Sequence, residues 1–238
     1  MKELLSVRKG NKKMLLDLFR YGFSLEVVIS LMASIFVVFC TLPVHEYAHA
    51  LIATKLGDNT ARLKGRLTLA PLAHIDPIGA LMILLVGFGY AKPVPVNPRN
   101  FKNPKAGMAL TALAGPVSNI LMALIFMILA NGLSIIYAHT GFVFANAAVT
   151  FFVAAAGINA SLAVFNLLPI PPLDGSRIVN LIIPAKYYFK IMKYERYIIL
   201  GIFALIFIGV LDIPLSFLTG LLMKFVNFVA RLPFMMFY

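Results

Sequence analysis

His45, Glu46 and His49 stand in the pattern H-E-x-x-H. On a helix, residues four apart lie about 40° apart around the axis and one turn along it, so both imidazoles reach one metal ion. Glu46, beside them, is able to take a proton from a water held by that metal. A catalytic zinc usually takes three protein ligands and keeps one position for water, so a third His, Asp or Glu is needed. His74, Asp76, His139 and Asp174 are the candidates. A charge count favours Asp174. A dication balances ionised Glu46 and Asp174, and a neutral assembly is the cheapest way to keep two carboxylates near lipid depth. The plainer reading of Asp174 is an Asp-Gly turn where a helix surfaces.

The elements that must position these groups are membrane segments. The chain has 238 residues, 61% of them hydrophobic and 13% charged, whereas soluble domains carry about a quarter charged residues. The apolar residues fall in blocks: 23–56, which contains the H-E-x-x-H motif, then 107–130 and 142–168. A helical hairpin over 197–211 and 215–229 follows, joined at Asp212-Ile213-Pro214. Residues 78–89 are apolar but too short for an ordinary span, which predicts a segment that dips in and returns. Residues 60–77 read as a basic loop and 131–141, without Lys or Arg, as an outer loop. The fold class expected is an all-α polytopic membrane protein. It has a three-helix catalytic core, a re-entrant or extended segment, and about five to six membrane segments in total.

The net charge of +12 does not point to nucleic acid. Lys and Arg fall between apolar blocks, where the positive-inside rule places them in cytoplasmic loops, and no RNA- or DNA-reading motif is present. The lipid bilayer is the expected partner of these charges. Cys40 is the single cysteine, so neither a disulfide framework nor a cysteine zinc ribbon exists. The basic run before the first span imitates a secretory signal, but it lacks a small-residue cleavage site before His45 and is expected to be retained.

The order of H-E-Y-A-H, "AGPVSN" at 114–119 and "NLLPIPPLDG" at 166–175 resembles the site-2 protease family of intramembrane zinc metalloproteases. "GRLTLAPLAHIDPIG" and "AKPVPVNPRNF" are similar to its compact branch, which lacks PDZ and CBS domains. The resemblance implies one Zn2+ per chain held by His45, His49 and Asp174, with Glu46 as the general base. It implies that Asn166 orients substrate or stabilises the oxyanion, with an asparagine hydrogen-bonded to a neighbouring helix as its plainer role. Asn119 is a weaker substrate-binding candidate, with interhelical packing as its plainer role, and Arg177 reads as a cytoplasmic anchor. The expected domains are a basic extension at 1–22, the metalloprotease core at 23–180 and a C-terminal hairpin at 181–238. The implied substrates are membrane proteins with a transmembrane segment. The implied location is the cell membrane, as in a bacterial plasma membrane, with the active site toward the cytoplasm. A multi-span cation transporter and a catalytically silent scaffold are the rival classes; dependence of cleavage on Glu46 separates them from a protease. Oligomeric state is not legible.

Lys92-Pro93-Val94-Pro95-Val96-Asn97-Pro98 is too rich in proline for a helix. Extended, it puts Val94 and Val96 on one face and leaves the N–H groups of Val94, Val96 and Asn97, and every carbonyl, unpaired. This predicts an edge that holds an unwound substrate by strand addition, against the alternative of a stiff linker.

Overall fold

The computed structural model describes residues 24–79, 81 and 91–237, and these are helical with extended connections. The extension 1–22 and most of the apolar stretch 78–89 lie outside the described residues, and with them the re-entrant reading. Helix α1, Leu25–Lys55, opens on Ser24, whose hydroxyl accepts from the Val27 amide at 3.3 Å, and has Glu26 in its first turn. These are a cap and a charge suited to the positive end of a helix dipole. Within α1, Val37–Thr41 form a π turn just ahead of Pro43. Proline has no amide to donate and its ring crowds the preceding turn, so the wider turn accommodates it without breaking the helix.

Two short helical turns, α2 (Thr60–Leu63) and α3 (Pro71–His74), shape the basic connection that the sequence reads as loop. Helix α4, Pro104–Thr140, starts with Asn103 capping the Ala106 amide at 3.1 Å and Pro104 in the first turn. It ends at Gly141, whose φ of 66° is the left-handed stop that glycine adopts freely. The expected outer loop at 131–141 is therefore corrected to helix over 131–140. Asn131 meets Asn227 at 3.5 Å and Gly132 lies against Phe234, so contacts with the C-terminal helix carry α4 past its polar residues. The reversal is confined to Gly141-Phe142.

Helix α5 is Val143–Asn166, α6 Asp174–Val179, α7 Ala185–Met192, α8 Glu195–Ile208 and α9 Asp212–Arg231. Helices α1, α4 and α5 pack on one another, and α9 closes against α4 and α5. Their shared core is built on small residues, among them Ala33, Ala123, Ala155, Ala156 and Ala160. Small side chains let helix backbones approach closely, which is how helices associate in lipid. Phe36 fits edge-on between Phe126 and Phe151, at centroid distances of 5.8 and 5.4 Å.

Among the described residues, four helical stretches are long and apolar enough to cross a membrane: Leu25–Lys55, Pro104–Thr140, Val143–Asn166 and Asp212–Met236. Leu110, Leu121, Ile125 and Leu129 expose an apolar flank of α4, as lipid contact requires. The chain is a multi-pass all-α membrane protein. Of the expected hairpin, α8 has 14 residues and is shorter than a span.

Candidate active site

The local spacing of H-E-x-x-H does what the helix period dictates. His45 and His49 both point from α1 toward α4, with Nε2 atoms 3.0 Å apart. Asp174, first residue of α6, brings Oδ2 to 3.4 Å from His45 Nε2 and 3.2 Å from His49 Nε2. Tetrahedral zinc with ligand bonds of about 2.0–2.1 Å holds its ligand atoms about 3.3 Å apart. The observed triangle has that size, and two nitrogen lone pairs with a carboxylate converge on one point. The donor set fits zinc.

Two backbones make room for this triangle. A Cβ on Gly115 would overlap His49 Nε2 and His45 Cε1, so the imidazoles lie in space that only glycine leaves on α4. A Cβ on Gly175 would overlap the carbonyl oxygens of Leu167 and Leu168, so α6 starts hard against the end of the "NLL" turn. His49 Nδ1 is 2.7 Å from the Thr111 carbonyl oxygen, which can only accept. That bond keeps the proton on Nδ1 and leaves Nε2 free as a ligand. His45 Nδ1 is buried without a hydrogen-bond partner among the described residues.

A cavity of about 530 Å³ opens onto the triangle. Glu46, buried on α1, lines it, and no hydrogen bond among the described residues occupies its carboxylate. Asn166 also lines it, with Nδ2 donating to the Leu162 carbonyl at 3.0 Å. Val94 and Val96 complete the lining from the proline-rich segment, and Ile199, Ile202 and Phe203 of α8 form another wall. Asn119 stands apart. It is buried within α4, outside the lining, and neither amide atom has a hydrogen-bond partner among the described residues. Arg177, one turn beyond Asp174, also lines the cavity.

The other candidate ligands are engaged elsewhere. His74 is fully buried and its Nε2 lies 2.7 Å from the Thr68 carbonyl. Asp76 accepts from the Ile78 and Gly79 amides, each at 3.0 Å. His139 is exposed and bonds the Ile135 carbonyl at 2.8 Å.

The proline-rich segment is not helical, and Asn97 at its end is extended, but its backbone is less free than its sequence suggests. The Asn97 amide donates to Asp58 at 2.7 Å, and Arg66 takes the carbonyls of Lys92 and Pro93. Val94 is buried against Ala50 and Ala61. Asp58 and Arg66 escape sequence reasoning because one reads as a turn residue and the other as one more loop cation.

The sequence profile of peptidase family M50 matches residues 132–209. The chain is 44% identical over 158 residues to the candidate zinc metalloprotease YwhC of Bacillus subtilis, an alignment covering 64% of this chain and 70% of that protein. It is 30% identical over 143 residues to the candidate zinc metalloprotease Rip2 of Mycolicibacterium smegmatis, covering 57% of this chain and 51% of that one. No solved structure matches the chain.

Proposed function

This chain belongs to peptidase family M50 and is a zinc metalloprotease of the site-2 protease family, and we propose that it cuts peptide bonds within or beside the transmembrane segments of membrane proteins. The observation that carries the proposal is the location of the His45–His49–Asp174 triangle, between helices long enough to span a bilayer. In this reading residues 23–180 are the catalytic core, 181–238 an accessory helical pair, and 1–22 a basic extension.

His45, His49 and Asp174 would hold the zinc. When bound, zinc supplies Lewis acidity, polarising a carbonyl and bringing the pKa of water toward about 7. Glu46 accepts the proton of the attacking water and delivers it to the leaving amine. The free carboxylate of Glu46 in the cavity wall supports that role. Asn166 orients the substrate carbonyl: one amide hydrogen is spent on Leu162, and the other remains to donate. Asn119, buried on α4 and outside the cavity lining, is left with a packing role between helices.

A helical substrate has no free carbonyl to offer, because each is paired inside the helix. It must unwind locally, and the extended Val94–Val96 stretch is the edge that receives it. The basic residues at 55–66 and 177–196 support an active site toward the cytoplasmic side of the cell membrane.

The deciding experiment reconstitutes the protein with a panel of single-span membrane proteins beside the Glu46→Ala variant. Cleavage near a membrane segment by the wild type, lost in a fully zinc-loaded Glu46→Ala, is the expected result. Equal cleavage by both would end the assignment of Glu46, and cleavage only in distant soluble regions would end the intramembrane reading.

A further inference from the structure

Immediately after the H-E-x-x-H helix, two buried side chains of opposite charge grip the proline-rich segment from its two ends. Asp58 is fully buried, and its amide bonds the Ala53 carbonyl at 2.9 Å, which roots it in the last turn of α1. Its carboxylate accepts from the Asn97 amide at 2.7 Å, Asn100 Nδ2 at 2.7 Å and the Thr60 amide at 3.1 Å, and also from the Thr60 hydroxyl. Arg66 is 8% exposed and donates to the carbonyls of Lys92 and Pro93 with one nitrogen and of Ala73 with the other.

Desolvating a carboxylate and a guanidinium is costly unless their bonding capacity is used. Here the bonds to Lys92, Pro93, Asn97 and Asn100 outnumber those to Thr60 and Ala73, and Arg66 Nε has no partner among the described residues. The antiparallel bridge between Ile75 and Ala91, and the bond from the Lys92 amide to the His74 carbonyl at 2.8 Å, add to the Arg66 end. Between the two grips lie Val94, Pro95 and Val96, and no hydrogen bond among the described residues reaches their amides or carbonyls. In an extended chain the N–H and C=O of Val94 and Val96 point to one side, while Pro95 has no amide to offer on the other. The result is a short one-sided edge, fixed at both ends to the segment that follows the metal-binding helix.

We propose that Asp58 and Arg66 are positioning residues for catalysis: they set the register of the Val94–Val96 edge against α1 and thereby determine which substrate bond meets Glu46. The proposal rests on the reading of that edge as the substrate's docking strand. Register matters because a slip of one residue along a strand turns every side chain to the opposite face.

The test uses the reconstituted full-length enzyme with a single-span substrate, and reads zinc content, KM, kcat and the product termini by mass spectrometry. Wild type should cut one dominant bond. Asp58→Asn and Arg66→Gln should keep zinc, raise KM by about tenfold, and spread cleavage to neighbouring bonds. Asp58→Asn combined with Asn100→Asp exchanges donor and acceptor across the 2.7 Å contact and should restore much of the single-bond selectivity. Unchanged KM with the same single bond cut, or loss of zinc in both variants, overturns the proposal. Val94→Pro with Val96→Pro separates it from its premise. If that variant cleaves normally, the docking-strand reading and the proposal fall together. If it loses cleavage while the Asp58 and Arg66 variants cut the wild-type bond with wild-type KM, the edge stands and only the positioning role falls.

Discussion

His49 Nδ1 and the Thr111 carbonyl oxygen meet at 2.7 Å across the α1–α4 interface, one helical turn before Gly115 on α4. The same helix thus orients the imidazole with a carbonyl and, a turn later, makes room for it by lacking a side chain. The ligand face of α1 is set by the backbone of α4 as much as by its own sequence.

Gly115→Ala should therefore remove zinc without unfolding the protein. Alanine is the better helix former by about 1 kcal/mol, so α4 itself gains, while the new Cβ occupies the position of the His49 and His45 rings. We expect zinc affinity to fall at least about 100-fold with helical circular dichroism unchanged. A fully loaded Gly115→Ala protein would falsify the steric argument.

Purified wild type should carry one zinc per chain, with Asp174→Ala retaining under about a tenth of it. Removing the carboxylate deletes a ligand and leaves the dication underbalanced. Elemental analysis decides this, and full occupancy in Asp174→Ala would strike Asp174 from the ligand set.

Asp58 gives a pH dependence of known sign. Burial pushes its carboxyl up, but hydrogen bonds from Thr60, Asn97 and Asn100 outweigh that and hold it below the ordinary 3.8. A group depressed in the folded state contributes stability that is complete above its unfolded pKa and lost as pH falls through its folded one. Wild type should melt higher than Asp58→Asn by a constant margin from about pH 7 to 5, and the margin should narrow below about pH 4. A margin that widens on acidification would contradict the assignment.

Membrane sidedness is checked by labelling single cysteines at Ala70, Thr140 and Lys190 after replacement of Cys40. Positions 70 and 190 should react from the cytoplasmic face and 140 from the opposite one. The same accessibility at 70 and 140 would be incompatible with α4 crossing the bilayer.

What was legible in the sequence follows from range. His45, Glu46 and His49 are one helical turn apart, so their convergence is local and visible in the pattern. Asp174 lies far along the chain, and only a charge count together with the family resemblance points to it. Gly115 stood inside a quoted motif, but its reason, two imidazoles from another helix, is a tertiary fact. Arg66 reads as a loop cation and Arg177 as a cytoplasmic anchor, because positive charges between apolar blocks usually lie in cytoplasmic loops. Residues 131–141 read as an outer loop because they carry no Lys or Arg, whereas contacts with α9 and its extension hold 131–140 in helix. The free carbonyls expected at Lys92 and Pro93 are taken by an arginine 26 and 27 residues away, which no window on the segment itself reveals.

The π turn at Val37–Thr41 acts as a phase shifter. It accommodates one residue more than an α turn does, so everything after it is rotated by about 100° relative to an uninterrupted helix. The lipid-facing stripe of the first half of α1 and the metal-facing stripe of the second are therefore two separate angular frames, joined at one elastic point. A single-residue deletion inside 37–41 can relax that turn to α-helix and keep both frames aligned with their neighbours. The same deletion at Ser30 or Tyr47 has no such slack, and swings one frame away from what it faces.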